Sequence, residues 1–210
     1  GIWAIIRLSI LLRLLAFVAA PVYALDIPPD FSARYKLEKY GTTIGEVKLS
    51  LRSEGNILIY TSNTEPRGLA ALFRNDKINE TSRLGVKTHD NMPQLLHYEY
   101  NHHGKQKKNQ HFDVENVGTQ PIKITGASGS KVFTTQAGGP VWDRLSVQLA
   151  LACDASNAPQ LKKTYLYKVF DHGELSDYTF EYTGETTQKI AGQVYHVLTF
   201  TRYHGKRETL

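Results

Sequence analysis

The sequence has 210 residues, which is enough for one domain with a buried core. Hydrophobic residues make up 41% and charged residues 21%, as in ordinary globular proteins, and the single cysteine, Cys153, excludes an internal disulfide. The net charge is +5 with the signs interspersed, so the sequence lacks the basic stripe of nucleic-acid-binding proteins, and we predict no nucleic-acid partner.

The chain begins with a segment typical of a secretory signal peptide. Residues 8–20 are almost continuously apolar, Arg7 precedes them and Arg13 interrupts them. Small residues stand three before and one before a cut after Ala24. We predict that residues 1–24 are a signal peptide and that the mature protein has no stable membrane span. The alternative is an uncleaved anchor, in which Arg13 would cost ~2.5–3.5 kcal/mol at the bilayer centre.

Residues 25–210 are predicted to form a single β-rich domain. Strand patterns with a period of two follow one another, separated by short turns, and nine or ten strands are expected. The clearest case is the alternation of Val47, Leu49 and Leu51 with polar residues. Pairing across the turns brings the apolar faces together. We therefore predict a mainly β fold, a curved antiparallel meander that forms an open barrel-like sheet.

Three segments depart from the strand pattern. Residues 69–73 predict a short helix that plugs one end of the sheet. Residues 118–140, rich in Gly, Ser and Thr, predict a long loop with one or two short strands. Asp143 stands where a helix N-cap would, ahead of alanines and apolar residues, so we predict the principal helix over residues 143–155.

One hairpin is predicted around His103-Gly104. Pairing residues whose numbers sum to about 208 places Tyr98 and Phe112 on the apolar face, and His97 and His111 on the polar face. A second hairpin is predicted around residues 171–174. It sets three pairs of residues opposite each other, namely Tyr165 and Phe180, Tyr167 and Tyr178, and Lys168 and Asp177.

Aromatic side chains dominate the predicted inward faces. They are the candidate ligand-cavity residues Tyr35, Tyr60, Tyr98, Tyr100, Phe112, Tyr165, Tyr167, Tyr178 and Phe180. Two interpretations stay open. The rings either fill a packed core, or they line a cavity in which the tyrosine hydroxyls meet the headgroup of a ligand.

Catalytic motifs are absent from the sequence. Ser128 lacks the flanking glycines of a Gly-x-Ser-x-Gly elbow, and no segment has P-loop spacing. His97 and His111 share the polar face of their hairpin with Glu99 and Asp113, a set that could hold zinc or copper. Their spacing matches no compact metal motif, so an exposed polar face is the preferred interpretation. We predict no enzyme, no metal and no cofactor.

The combined features resemble a known family. They are the export signal, Tyr35-x5-Gly41-x3-Gly45, Asp143-Arg144-Leu145-Ser146, and the hairpin from Tyr165 to Thr183 followed by Gly192 and Arg202. Over residues 30–210 the chain resembles the exported bacterial proteins of domain of unknown function 3108. The resemblance implies a periplasmic location in a Gram-negative cell and a sheet similar in outline to periplasmic lipoprotein carriers, which hold acyl chains in an apolar concavity. It implies no catalytic residues, and it implies that the chain is truncated after Leu210.

Two functions follow as hypotheses. The first is a periplasmic protein that binds or carries an apolar or amphipathic envelope component, such as a lipid or a lipidated partner. The second is an envelope structural or assembly factor that contacts other proteins through a sheet edge or through residues 118–140. A hydrolase is a third possibility that no motif supports.

Overall fold

The alternating pattern of the sequence is realised as two β-sheets and two helices. The computed structural model describes residues 2–7, 13–18, 28–73, 75–87, 90–104, 107–115, 117, 119–190 and 192–204. In chain order the elements are β1 (Ile2–Arg7), β2 (Arg13–Val18), β3 (Phe31–Lys39), β4 (Thr42–Glu54), β5 (Ile57–Pro66), α1 (Ala70–Phe73), β6 (Lys77–Lys87), β7 (Asp90–His103), β8 (Lys108–Glu115), β9 (Ile122–Ser128), β10 (Lys131–Ala137), α2 (Val147–Asn157), β11 (Thr164–Asp171), β12 (Glu174–Ile190) and β13 (Gln193–His204).

The first sheet has nine strands in the order β1-β3-β4-β5-β6-β7-β8-β9-β10. From β3 to β10 each strand pairs antiparallel with the next one along the chain, whereas β1 joins β3 in parallel. Among the described strands β1 and β10 form the two edges, so the sheet is open. The second sheet has the order β11-β12-β13-β2. The predicted mainly β fold with an open antiparallel meander is confirmed.

The segment predicted to be an export signal supplies two of these strands. Strand β1 is an edge of the first sheet, and β2 pairs antiparallel with β13. Ala24, where the cut is predicted, and Leu210 lie outside the described residues, so cleavage and truncation stay predictions. Neither helix in the described part of the chain is long and apolar enough to cross a lipid bilayer.

The principal helix begins later than predicted. Helix α2 starts at Val147, not at Asp143, and Ser146 occupies its N-cap position. The Asp143 carboxylate instead accepts the backbone N–H groups of Leu145 and Ser146, each at 2.7 Å. These bonds close a turn ahead of the helix, because a short side chain beside free N–H groups stabilises turns as well as caps.

Two further stretches hold more strand than predicted. Residues 118–140, where a long loop with one or two short strands is predicted, contain two strands of 7 residues each, which pair as the hairpin β9–β10. Strand β6, which no pattern in the sequence singled out, pairs along nearly its whole length with β5 and β7. Helix α1 forms at the predicted place, but Leu69 and Leu72 point into solvent, 68% and 75% exposed, and do not plug the sheet.

The two predicted hairpins have the expected faces. In the first, Tyr98 pairs with Phe112, so paired numbers sum to 210 rather than 208. A shift of two residues keeps every side chain on its face, and both rings are fully buried. In the second, the predicted opposition of Tyr165 to Phe180 is confirmed, as are the other two predicted pairs.

The core lies between the two sheets, with α2 packed into it. The ring of Phe170 on β11 contacts Phe112 of the first sheet, with 4.9 Å between ring centres. Gln110, buried on β8, also joins the sheets. Its amide nitrogen donates to the carboxylate of Asp171, and its amide oxygen accepts the backbone N–H of His172 at 2.9 Å.

Candidate ligand-binding cleft

A cleft opens where the chain crosses from the first sheet to the second. Strand β10 ends at Ala137, and residues 138–142 then pass over to β11. There the Trp142 N–H donates to the carbonyl of Lys168 at 3.0 Å, and the Phe170 N–H donates to the carbonyl of Trp142 at 2.8 Å. This short parallel bridge holds the crossing segment, residues 138–142, against the edge of β11.

Two adjoining cavities flank the crossing segment, and together we call them the cleft. The smaller has a volume of about 210 Å³ and lies between β7, β8 and β9. The larger has a volume of about 600 Å³ and lies between β10 and the hairpin β11–β12. Both are lined by Met92, Gly139, Pro140 and Trp142. Volumes of this order suit small-molecule ligands.

The lining of the cleft combines apolar and polar side chains. The smaller cavity is walled chiefly by Leu95, Val114, Ile122 and Val141. The larger adds Leu166, Tyr167 and Leu175, together with the polar side chains Gln136, Asp154 and Lys168. Such a surface can bury a hydrocarbon segment while a polar end stays near water.

Tyr167 connects the aromatic interior to the cleft. Its hydroxyl donates a hydrogen bond to the carboxylate of Asp154 on α2. Burial, reinforced by this bond and by the negative charge of Asp154, holds the pKa of Tyr167 far above its usual range. Tyr167 therefore stays protonated and neutral, and it is a sequence-predicted cavity residue that the structure places on the cleft wall.

The other predicted cavity residues lie in the protein interior. Tyr35 is half-buried, whereas Tyr60, Tyr98, Tyr100, Phe112, Tyr165, Tyr178 and Phe180 are buried. The Tyr98 and Phe112 rings contact each other in a tilted pair, with 5.3 Å between centres, and the Tyr165 ring contacts Phe200 edge-on. The Tyr60 hydroxyl donates to Gln148 at 3.2 Å and the Tyr98 hydroxyl to Glu80 at 2.7 Å, so both have acceptors within the protein.

A buried polar network attaches the turn before α2 to the first sheet. Arg144 pairs with Glu80 at 3.0 Å, and the Ser82 hydroxyl donates to Asp143 at 2.9 Å. Burial raises the pKa of Asp143 to about 6, although the hydrogen bonds from Ser146, Ser82 and Leu145 oppose the shift. These residues position α2, and α2 in turn supplies Asp154 to the cleft.

The polar face of the first hairpin is occupied by ion pairs. His97 contacts Asp113 at 2.7 Å through Nδ1 and Glu99 at 3.2 Å through Nε2. His111 pairs across the strands with Glu99, not with His97 as a sum of 208 would place it. Within the described residues, no three His, Cys, Asp or Glu side chains lie close enough together to hold a metal ion.

Sequence reasoning missed the residues that form the cleft. Residues 138–140 end the segment predicted as a loop, and the sequence patterns assign no role to Met92 or Trp142. A signal was present, because a tryptophan two residues after a Gly-Gly-Pro break has no strand or helix pattern that would explain its burial. What the sequence did not show is that this segment meets β11.

Comparison with known proteins adds one match. The family model described as "Protein of unknown function (DUF3108)" matches residues 30–209. No curated protein and no solved structure matches the chain.

Proposed function

The chain belongs to the DUF3108 family of proteins of unknown function, and we propose that it is an exported protein that binds an apolar or amphipathic molecule in the cleft. The observation that carries the proposal is the lining of the cleft, which is apolar around Trp142 and also includes the polar side chains Gln136, Asp154 and Lys168. The apolar signal-like segment at residues 8–20 supports export.

The ligand class follows from the shape and chemistry of the cleft. The smaller cavity is too small for a whole lipid, but an acyl chain could run from it past Trp142 into the larger one. Lys168, which pairs with Asp177 at 2.6 Å, and Asp154, which accepts the Tyr167 hydroxyl, also line the larger cavity, and their charges suit a charged or zwitterionic headgroup. An envelope lipid or the acyl group of a lipidated partner has this chemistry. The apolar lining of the smaller cavity therefore supports a binding role.

Trp142 makes the proposal measurable. The chain has two tryptophans, Trp3 and Trp142, so a full-length Trp3→Phe variant reports on the cleft alone. We expect a fatty acid brominated on its chain to quench the Trp142 fluorescence saturably, because bromine quenches only at close range. The unbrominated fatty acid should compete with it. Saturable binding without any quenching would place the ligand elsewhere and contradict the proposal.

Two substitutions localise the binding site. Gly139→Leu adds an apolar side chain at the cleft wall, at a position where a Cβ meets no atom within 4 Å. It should weaken binding of the brominated fatty acid at least about tenfold, a loss of ~1.4 kcal/mol. Leu166→Gln should also weaken it, whereas Val194→Gln, similarly exposed but near the start of β13, should leave it unchanged. Native mass spectrometry before and after organic extraction would identify a co-purified ligand.

Assembly with other envelope proteins is the second candidate function. The observation in its favour is the edge strand β10, which pairs with β9 on one side and with no described strand on the other. An open edge can accept a strand from a partner. A photo-crosslinking residue at Thr134, in the middle of this edge, should then capture a defined protein in the cell envelope, and a residue at Thr186 on β12 serves as control.

A further inference from the structure

Antiparallel pairing brings four connections of the first sheet to one end. We call the described residues of these connections, with the strand residues next to them, the tip surface, namely 39–41, 67–73, 75–76, 103–104, 107–108 and 129–131. The first two segments are neighbours, since the Arg67 N–H donates to the carbonyl of Ile44 at 3.1 Å. A Cβ on Gly68 would likewise lie only 3.0 Å from the carbonyl of Thr43. The cleft lies toward the opposite end, where β7 begins and β8 ends.

Large apolar side chains project from the tip surface. Tyr40 is 87% exposed, and Leu69 and Leu72 stand beside its turn with most of their surface in solvent. These are three of the seven large apolar side chains exposed among the described residues. Packing against the sheet does not explain them, because their surface is not buried by it.

Tyr40 carries a second, independent sign of a surface role. Its φ of 51° lies in the left-handed region, which disfavours bulky residues and suits Gly or Asn. An exposed ring in an unfavourable backbone conformation contributes little to folding. It is, however, the side chain that sits well at a boundary between water and lipid headgroups.

The charged groups around these side chains favour an anionic partner. Lys39 lies 5.6 Å from the centre of the Tyr40 ring. Lys107, Lys108 and Lys131 are exposed, and none of them forms an ion pair with another residue of the described ranges.

Most of the acidic groups at this end contact a basic side chain. Asp76 contacts His102 at 3.2 Å. Glu46 contacts Arg67, and Glu65 contacts both Arg67 and Lys77. Glu38, beside Lys39, forms no ion pair within the described residues. The lysine and arginine side chains described at this end nevertheless outnumber the carboxylates, so the net charge there is positive. They are Lys39, Arg67, Lys77, Lys107, Lys108 and Lys131 against Glu38, Glu46, Glu65 and Asp76.

We propose that the tip surface docks the protein on an anionic phospholipid bilayer, with Tyr40, Leu69 and Leu72 entering the interface and the lysines contacting headgroup phosphates. Apolar groups at the tips and cations behind them match the two layers of such an interface. This docking goes beyond ligand binding in the cleft and does not require it.

A fluorophore at the tip tests the proposal directly. The native Cys153 is buried, so an NBD dye can be attached selectively to Leu72→Cys in the full-length chain. We expect NBD fluorescence to rise with phosphatidylglycerol-rich vesicles and much less with pure phosphatidylcholine vesicles. NBD on Val194→Cys, an exposed apolar position on the second sheet, should not respond. NBD fluorescence at position 72 reports insertion of the tip surface itself, and membrane binding by residues 1–24 would not produce it.

Charge and apolar contributions can then be separated. Lys107→Glu with Lys108→Glu should weaken binding to the anionic vesicles about tenfold or more. Leu69→Ser in the labelled Leu72→Cys background should reduce the NBD response. No response at position 72, equal responses at 72 and 194, or a response that needs an added envelope protein in place of vesicles would each overturn the proposal.

Discussion

Arg144 and Glu80 form an ion pair of 3.0 Å that joins the turn before α2 to the inner face of the first sheet. The guanidinium also lies 5.1 Å from the centre of the Tyr100 ring, and the same carboxylate accepts the Tyr98 hydroxyl. One charged pair thus fixes the helix and two core aromatics. Because α2 carries Asp154 to the cleft wall, this pair also sets the cleft geometry.

Removing the positive charge of Arg144 should lower the free energy of unfolding. We expect Arg144→Met to lower the free energy of unfolding by about 2 kcal/mol, because Glu80 is left buried with only a tyrosine hydroxyl as its partner. Arg144 is partly exposed, which keeps the loss below that of a fully buried pair. Arg52→Met removes the exposed contact with Glu54 and should cost less than about 1 kcal/mol in urea unfolding. Equal losses would contradict the argument.

The two faces of the first hairpin should respond differently to truncation. Phe112 is fully buried against Tyr98 and Phe170, so Phe112→Ala should destabilise the protein by about 4 kcal/mol. His111 is its exposed neighbour, and His111→Ala should change stability by less than about 0.5 kcal/mol. Thermal and urea unfolding of both variants would measure the contrast, and similar losses would show that the faces are assigned wrongly.

Asp143 should make stability depend on pH. Its folded pKa of about 6 lies above the ordinary value of 3.8, so the folded protein holds the proton more tightly than the unfolded chain. The resulting stabilisation is present below pH 4 and is lost as the pH rises through 6. Between pH 4 and 7 we expect a change of about 2 kcal/mol from this group.

The Asp143→Asn variant isolates the contribution of Asp143 to the pH dependence of stability. Asp143→Asn cannot ionise, so its unfolding free energy should lack this part of the pH dependence. Urea unfolding at several pH values gives the comparison, and Glu54→Gln, which removes an exposed carboxylate, is the control. Parallel pH curves for the wild type and Asp143→Asn would show that Asp143 titrates normally.

Gly126 should tolerate no side chain. A Cβ there would lie 2.1 Å from the carbonyl oxygen of His111 and 2.7 Å from Cα of Phe112, and both are backbone atoms. We expect Gly126→Ala to destabilise by about 3 kcal/mol because the strands must separate. Gly138→Ala meets no atom within 4 Å and should be close to neutral. A neutral Gly126→Ala in differential scanning calorimetry would refute the close approach of β8 and β9.

The sequence predicted the parts of the fold that depend on local pattern. Alternation with a period of two put Tyr98 and Phe112 on one face, and a tight turn fixed the exact pairing of Tyr165 with Phe180. Where the turn was longer, after His103, the pattern gave the faces but missed the register by two residues. Period-two alternation cannot distinguish registers that differ by two.

The candidate site could not be predicted from local sequence patterns. The cleft exists because the crossing segment brings Trp142 against β11. No alternation or turn pattern in the sequence predicts this contact. The aromatic residues were assigned to the interior, yet the position of α2 decides which ring meets the cleft. Of the nine aromatic residues predicted to line a cavity, Tyr167 is the one that lines the cleft as described.

The amide of Gln110 fixes how the two sheets can meet. An apolar core alone would allow the hairpin β11–β12 to slide along the first sheet at little cost, since hydrocarbon contacts have no direction. Sliding by even one residue would separate the amide from both Asp171 and His172 and leave buried polar groups unmatched. The second sheet should therefore leave the first only when the whole domain opens, and the amide hydrogens of β11 should exchange with water as slowly as those of β8.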